Sequence, residues 1–320
     1  MYKFFFLINP VSGGGQGKVI HQFLPEIMGS MDYAESDWKV EFTRHDGMDE
    51  QVQSALSSTE TLIAVGGDGT VSAVLAKVLS GNFADKVKIG LIPLGTGNDL
   101  ARVLNLYKPF VDQGLLFLVR RLVAAEARPF DIWTVNGKYA LANYFSGGID
   151  ARIAHDFNKD RATGVIASKS VIANRIHYVR LFFADRKYML KSGTLGFQDE
   201  NGNCESVDLT GHRTVIVGNI PSFAGGARPF FHSDMADGLL EVVDVPNMVN
   251  FLIALGFGGI PLFGNIFKKY LIKSRKVRSV KLVMAKDEFL QLDGENMSGK
   301  LDGDITIEFA SRVQMLALGD

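Results

Sequence analysis

Cysteine is nearly absent from this chain of 320 residues, because Cys204 is the only one. A single thiol forms neither an intrachain disulfide nor a cysteine-based zinc cluster, and it suits a reducing cytoplasm. An excess of one charge is missing too, since 34 Lys and Arg stand against 35 Asp and Glu, a formal net charge of −1. No global field attracts a polyanion, so we expect no nucleic-acid partner.

Long uninterrupted hydrophobic runs are also lacking. The apolar run at residues 4–8 is too short for a signal peptide and predicts a buried strand. The uncharged stretch 245–267 is nominally long enough for a bilayer core of roughly 30 Å. Prolines and glycines interrupt it, so we expect no transmembrane helix. With 47% hydrophobic and 22% charged residues, the composition is typical of a folded, soluble protein.

The order of the apolar runs predicts an α/β fold with a second, β-rich domain. In residues 1–130, short apolar runs alternate with amphipathic stretches, which is typical of a parallel sheet built from βαβ units. Residues 131–304 predict a mainly antiparallel β-sandwich domain, and residues 305–320 are expected to pack back on the first domain. The predicted strands are 4–8, 40–42, 61–65, 88–92, 132–135, 139–144, 214–217, 239–243, 280–284 and 305–309.

A helix is predicted between these strands, at 166–183, by apolar residues spaced four, three and four apart. They are Ile172, Ile176, Val179 and Phe183. No long linker separates the two predicted domains. We therefore expect the domains to be closely apposed, with a site in the cleft between them.

Glycine-rich loops follow three of the predicted strands in the first domain. The first loop, residues 9–18, precedes a helical stretch. Its glycines allow backbone N–H groups to converge on an anion at a helix N-terminus. The loop does not match the Walker A pattern, and a flexible turn is the alternative interpretation.

The second loop, Gly-Gly-Asp-Gly-Thr at 66–70, follows a predicted parallel strand, where α/β folds place their ligands. Asp68 supplies a carboxylate for orienting magnesium through water, and Thr70 supplies a hydroxyl for a phosphate. The alternative is a plain strand-to-helix turn, but such a turn rarely needs three glycines and an acid.

The third loop, residues 93–102, also follows a predicted strand. Asn98 either caps the next helix or serves the site, and Arg102 either reaches a phosphate or pairs with Asp99. Three such loops at successive strand ends indicate a phosphate-binding site.

Together with four further motifs, the loops resemble the diacylglycerol kinase catalytic family over nearly the whole chain. The motifs are Phe-Ser-Gly-Gly-Ile-Asp-Ala at 145–151, Asn-Arg-Ile-His-Tyr at 174–178, Gly-Asn-Ile-Pro-Ser-Phe-Ala-Gly-Gly at 218–226 and Gln-Leu-Asp-Gly-Glu at 291–295. The chain is similar to the eukaryotic enzymes as much as to the small bacterial lipid kinases. It is expected to lack the cysteine-rich domains of the former, as one cysteine requires. The resemblance implies an NAD kinase- and phosphofructokinase-like fold for the first domain.

The resemblance also implies ATP, magnesium and a general base. Glu295 is the implied base, with Asp293 in the same motif, and Asp68 is implied to act in a magnesium and water network. A structural magnesium is implied as well, with an acidic β-turn as the alternative; its ligands would be Asp234, Asp237 and Leu239. The implied ATP-binding residues are Asn9, Pro10, Ser12, Gly13, Thr43, Gly66, Gly67, Asp68, Gly69, Thr70, Val71, Ser72, Thr96, Gly97 and Asn98.

The expected reaction is transfer of the γ-phosphate of ATP to the primary hydroxyl of diacylglycerol, giving phosphatidic acid. If residues 293–295 are extended, Asp293 and Glu295 face the same side, and a polar hairpin turn is the alternative. Other open functions are kinase activity on ceramide, a sphingoid base or monoacylglycerol, an NAD kinase-like reaction, and an inactive nucleotide- or lipid-binding protein. A hydrolase is not expected, because Ser12, Ser146 and Ser222 lack an evident His and Asp arrangement.

A lipid acceptor requires contact with a membrane, so we expect peripheral association at a cytoplasmic surface. A run of cations without acids follows the apolar segment 251–267 and predicts docking on anionic lipid. The alternative is a buried apolar segment followed by a solvated strand. A homodimer is compatible with the sequence. The cations are Lys268, Lys269, Lys273, Arg275, Lys276, Arg278 and Lys281.

Overall fold

The computed structural model describes residues 1–44, 46–163, 177, 180, 181, 184–255 and 272–319. The chain divides into two compact units. One comprises Met1–Ile132 with Ala310–Asp320, and the other comprises Trp133–Phe309. Most of the helix predicted at 166–183 and most of the uncharged stretch 245–267 lie outside the described residues.

The first unit contains the parallel sheet that the βαβ pattern predicts, and its strands occur in the spatial order β2-β1-β3-β4. The strands are β1 (Tyr2–Ile8), β2 (Trp38–Phe42), β3 (Thr59–Gly66) and β4 (Lys88–Pro93). The helices are α1 (Ser12–Gly29), α2 (Met48–Ser58), α3 (Asp68–Ser80), α4 (Asp99–Val103) and α5 (Tyr107–Val123), with a short 3₁₀ turn at Glu35–Asp37. The central strand β3 is buried at nearly every residue, as a strand covered by helices requires.

The second unit is antiparallel, with the path β14-β13-β7-β10-β11-β12-β15 and β8 and β9 added at β12. Its strands are β5 (Ala127–Val135), β6 (Tyr139–Leu141), β7 (Tyr144–Gly148), β8 (Gly193–Asp199), β9 (Cys204–Asp208), β10 (Thr214–Gly218), β11 (Leu240–Val245), β12 (Ser274–Met284), β13 (Leu290–Leu292), β14 (Glu295–Asn296) and β15 (Asp304–Leu316). The described helices are α6 (Ile149–Ala162) and α7 (Met248–Ala254). Strands β5 and β15 have residues in both units.

Apolar side chains cover both faces of the antiparallel sheet. Val215 and Val217 belong to one buried cluster, whereas Ile216 between them belongs to another. Successive residues of a strand point to opposite faces, so the two clusters lie on the two sides of the sheet. This arrangement explains why β10 is a continuous apolar run and does not alternate with polar residues.

Two details differ from the predicted strands. The strand predicted at 139–144 is split into β6 and β7, because the N–H groups of Ala142 and Asn143 donate to the Asp293 carboxylate. The hairpin of β8 and β9 was missed, and the glycines at both positions 193 and 196 weaken its strand pattern.

Among the described residues, no helix combines the length and the apolar character that a membrane span needs.

The C-terminal segment completes the first unit. Gln314 and Met315 of β15 pair in parallel with Lys88 and Ile89 of β4. The sheet of the first unit therefore gains a strand that is far from its neighbours in sequence.

Candidate active site

The three glycine-rich loops meet at one edge of the parallel sheet. They follow β1, β3 and β4, which are neighbours in the sheet, so their carboxyl ends lie side by side. The backbone N–H of Asn9 donates to the Val65 carbonyl (2.9 Å), and that of Thr43 donates to the Ile8 carbonyl (2.8 Å). The edge thus collects the residues predicted to bind ATP from four segments: 9–13, 43, 66–72 and 96–98.

The first loop is anchored by Asn9. Its side-chain oxygen accepts from the Val11 N–H (3.1 Å), and its side-chain nitrogen donates to the Thr70 hydroxyl of the second loop (3.3 Å). Residues 13–15 are three glycines with φ of 62°, 67° and 98°, a left-handed region that L side chains rarely adopt. The glycines are therefore needed for the non-helical backbone at residues 13–15, near the start of α1.

The second and third loops are in close contact. A Cβ placed on Gly95 would lie 2.9 Å from the Gly67 Cα, so neither loop has room for a side chain there. The Asn98 side chain forms two hydrogen bonds with the backbone of Gly95, at 2.9 and 2.7 Å. Asn98 precedes α4, but its side chain makes no capping hydrogen bond. The interpretation of Asn98 as a helix cap is therefore wrong, and its side chain shapes the loop.

Two carboxylates lie beside the third loop. Asp68 begins α3 and accepts from the Asn98 N–H (3.1 Å), while Asp99 begins α4 and is 3% exposed. A Cβ placed on Gly97 would be 3.1 Å from an Asp68 oxygen and 3.6 Å from an Asp99 oxygen. The sequence interpretation gave Asp99 only a pairing role with Arg102, although an acid directly after the loop asparagine was a usable signal.

Arg102 is held against the same loop. Its Nε donates to the Gly97 carbonyl (3.2 Å), and its guanidinium lies 3.8 Å from the centre of the Tyr107 ring. Stacking on an aromatic ring orients a guanidinium without neutralising it.

In the second unit, residues 292–295 form a tight hairpin turn. Leu292 pairs with Glu295, and the two residues between them have positive φ, 49° for Asp293 and 87° for Gly294. These angles are typical of a type I′ turn. The extended conformation considered for this motif is wrong, and the two acids do not share a face, because Asp293 is 4% exposed whereas Glu295 is exposed.

The carboxylate of Asp293 holds this turn in place through hydrogen bonds to neighbouring backbone. Its carboxylate accepts from the backbone N–H groups of Ala142 (3.0 Å), Asn143 (2.8 Å) and Tyr144 (2.9 Å), and its own N–H donates to the Tyr144 carbonyl (2.9 Å). Asp293 therefore holds the turn that carries Glu295 against residues 142–144.

A buried polar network lies next to this hairpin. Asp150, at the start of α6, is fully buried and bonded to the hydroxyls of Ser146 and Thr214 and to the amide of Gln291 (2.9 Å). Burial raises the pKa of the Asp150 carboxyl, and these hydrogen bonds offset part of the rise. Gln291 lies on β13, so the network connects α6, β7 and β10 to the strand that leads into Glu295.

The residues predicted for a structural magnesium form a turn. Asp234 accepts from the Ala236 N–H (3.0 Å), and Asp237 accepts from the Leu239 N–H (3.0 Å) and from the Lys276 ammonium (2.6 Å). Within the described ranges, no group of three or more His, Cys, Asp or Glu residues is placed to hold a metal ion. These contacts fit the acidic turn, and a magnesium at Asp234, Asp237 and Leu239 stays a prediction.

The predicted basic run is described only in part, because Lys268 and Lys269 lie outside the described residues. On β12, Arg275 pairs with Asp244, Lys276 pairs with Asp237, and Arg278 donates to the Glu200 carbonyl (2.9 Å). This part of the run therefore matches the solvated-strand alternative.

Comparison with known proteins gives two adjacent family matches. Residues 3–135 match the family model described as diacylglycerol kinase catalytic domain, and residues 140–296 match the diacylglycerol kinase accessory domain.

The chain is similar to the eye-specific diacylglycerol kinase of Drosophila melanogaster, with 26% identity over 97% of this chain and 22% of the relative. It is also similar to human diacylglycerol kinase zeta, with 25% identity over 90% of this chain and 33% of the relative. The chain thus spans only about a fifth to a third of these relatives' length.

Solved structures share the fold. A diacylglycerol kinase from Bacillus anthracis superposes with a TM-score of 0.71 at 18% identity, covering 99% of this chain and 97% of that one. Another solved chain from that organism gives a TM-score of 0.72 at 19% identity, covering 99% and 96% of the two chains.

Proposed function

Because the chain belongs to the diacylglycerol kinase family, we propose that it transfers the γ-phosphate of ATP to the primary hydroxyl of diacylglycerol, giving phosphatidic acid and ADP. The observation that carries the proposal is that three glycine-rich loops follow neighbouring strands of the parallel sheet and meet at one of its edges. The curated relatives that carry the name diacylglycerol kinase support the choice of acceptor.

ATP is proposed to bind at the edge formed by the three loops. The backbone N–H groups there and the N-terminus of α3 suit the phosphates, and the tie between Asn9 and Thr70 fixes two of the loops. Magnesium would be held by the nucleotide phosphates and by Asp68, with Asp99 beside it. Mg²⁺ commonly binds one or two carboxylates plus substrate phosphates, so a pair of acids fits it. When bound, the ion would neutralise charge on the transferred phosphoryl group.

Glu295 is proposed as the general base. As the acceptor oxygen bonds to the γ-phosphorus and the bond to the β–γ bridging oxygen breaks, the hydroxyl proton passes to the Glu295 carboxylate. The exposed Glu295 side chain is open to an acceptor, and Asp293 holds the turn on which it sits. Asp293 is accordingly a positioning residue.

Labelled ATP and magnesium, with one acceptor at a time in mixed micelles, test the activity. The acceptors are diacylglycerol, monoacylglycerol, ceramide, sphingosine and NAD. We expect the label in phosphatidic acid. Label in ceramide phosphate or another lipid product would mean that this other lipid is the acceptor. Label in NADP alone, or in no product, would overturn the proposal.

The assignment of the base is tested by Glu295→Gln against the matched control Glu308→Gln, an exposed carboxylate on β15. General-base catalysis contributes roughly 10² to 10⁴ in rate. We expect kcat of Glu295→Gln to fall by about that factor while the control keeps wild-type kcat. Full activity of Glu295→Gln would exclude it as the base.

Peripheral membrane association is also proposed, since the acceptor lies in a bilayer. The support is the group of three lysines within 268–273. The side chains of Arg275, Lys276 and Arg278 on β12 bond to other groups of the protein, so they are less available to a membrane. Reversing Lys268, Lys269 and Lys273 to Glu should reduce binding to vesicles that contain anionic lipid at low salt. Reversing the exposed Lys86, Lys88 and Lys108 changes the net charge equally and should leave binding higher. Equal binding of the two variants would remove this proposal.

A further inference from the structure

A buried asparagine beside the Glu295 hairpin has a side-chain oxygen without a hydrogen-bond partner among the described residues. Asn143 is 3% exposed, and among the described residues its Oδ1 is buried without a hydrogen-bond partner. A buried polar atom without a partner costs about 1–3 kcal/mol of stability, so such atoms are few in folded proteins. The stability of the fold therefore does not explain why an asparagine occupies position 143.

The neighbouring Asn219 shows what a purely structural asparagine does at this edge. Its Oδ1 accepts from the Trp133 indole N–H (2.9 Å), and its Nδ2 donates to the Ala142 carbonyl (2.8 Å). Asn219 and Asn143 are joined through their backbones, because the N–H of Asn219 donates to the Asn143 carbonyl (2.9 Å). Two adjacent buried asparagines thus differ, since only Asn219 has its amide fixed from both ends.

Asn143 is linked by a backbone hydrogen bond to the turn that carries the proposed base. Its backbone N–H donates to the Asp293 carboxylate (2.8 Å), two residues before Glu295. Strand β7 is antiparallel to β10 and β13, so its beginning lies at the edge where β10 and β13 end. The amide and the hairpin turn are therefore held by the same backbone segment, 142–144.

We propose that the amide of Asn143 hydrogen-bonds the polar group next to the phosphorylated hydroxyl of the acceptor, which in diacylglycerol is the ester at the adjacent carbon. The inference rests on the proposed function. Oδ1 accepts no hydrogen bond, so exchanging the two ends of the amide breaks none at that position, and Nδ2 in its place would donate to the ester carbonyl. Asn143 is then a specificity-determining residue of the acceptor site.

The test compares diacylglycerol with an analogue whose adjacent ester is replaced by an ether, which lacks the carbonyl. Wild-type protein should lose roughly three- to tenfold in kcat/KM with the ether, the loss of one neutral hydrogen bond. Asn143→Leu should lose a similar factor with diacylglycerol and show no further loss with the ether. A variant that discriminates ester from ether as well as the wild type does would overturn the inference.

Thermal unfolding separates this role from a structural one. Asn143→Leu should keep or raise the wild-type Tm, because it removes a buried Oδ1 that has no partner, whereas Asn219→Leu should lower Tm by losing two hydrogen bonds. If Asn143→Leu lowers Tm like Asn219→Leu, or if both Asn143→Leu and Asn143→Ala fail to fold, Asn143 is structural and the inference is wrong. Wild-type protein that phosphorylates no lipid would instead refute the proposed function.

Discussion

Asp293 accepts three consecutive backbone N–H groups with two oxygens, an arrangement that only a carboxylate can satisfy. In Asp293→Asn, an amide NH₂ replaces one oxygen and faces a buried N–H donor. We expect the free energy of unfolding to fall by about 1–3 kcal/mol, the cost of an unsatisfied buried group. Chemical denaturation measures it. The exposed Glu295→Gln should unfold at the wild-type denaturant concentration, and an equally stable Asp293→Asn would show that the turn does not depend on the carboxylate.

Asp150 makes stability depend on pH. Burial raises its pKa above the ordinary value of 3.8, so the folded protein retains a proton that the unfolded chain has already released. In that window the free energy of unfolding falls as the pH rises. The contribution of Asp150 is complete below pH 3.8 and is lost as the pH passes through the raised pKa.

Asp150→Asn removes this titration with little change of shape. The amide oxygen accepts from Ser146 and Gln291, and the NH₂ donates to the Thr214 hydroxyl, whose proton goes to the Gly147 carbonyl (3.0 Å). Denaturation at pH values from about 4 to 7 should give a flatter dependence of stability on pH than in the wild type. Unchanged dependence would mean that other groups carry it.

At the scale of elements, the sequence predicts best where the pattern is local. The runs that become β1, β3 and β4 were predictable because strands covered by helices are apolar throughout. The gap between β6 and β7 was not, since it depends on Asp293, about 150 residues away. The same holds for the site: the glycine loops are recognisable as motifs, whereas the Asp150 network forms only when three separate segments pack together.

The contact between the second and third loops gives a prediction about ATP. Gly95→Ala places a methyl group 2.9 Å from the Gly67 Cα and 2.8 Å from the Asn98 Oδ1, so the loops must separate. Overpacking of this kind typically costs about 1–3 kcal/mol, and we expect KM for ATP to rise on the order of tenfold. Gly29→Ala, at the end of α1, meets nothing within 4 Å and should keep the wild-type KM. Equal values for both variants would place the nucleotide away from these loops.

At the scale of the whole molecule, the first unit is completed by residues that come last in the chain. Val313, Met315, Leu316 and Leu318 are buried, and Arg312 forms two hydrogen bonds with the fully buried carboxylate of Asp131, at 2.6 and 3.2 Å. Because a buried carboxylate without its partner is strongly destabilising, Asp131 depends on this segment as much as the apolar core does.

Removing residues 310–320 should therefore prevent the first unit from folding. Each buried side chain of Val, Leu or Met contributes about 1.5–3 kcal/mol, so four of them rival a total stability of about 5–15 kcal/mol. We expect the truncated protein to lose cooperative thermal unfolding and ATP binding, as measured by calorimetry and nucleotide titration. A chain ending at Leu318 keeps all four side chains and should behave as the wild type. If the chain without residues 310–320 unfolds cooperatively at the wild-type Tm, the parallel sheet is stable without its C-terminal strand.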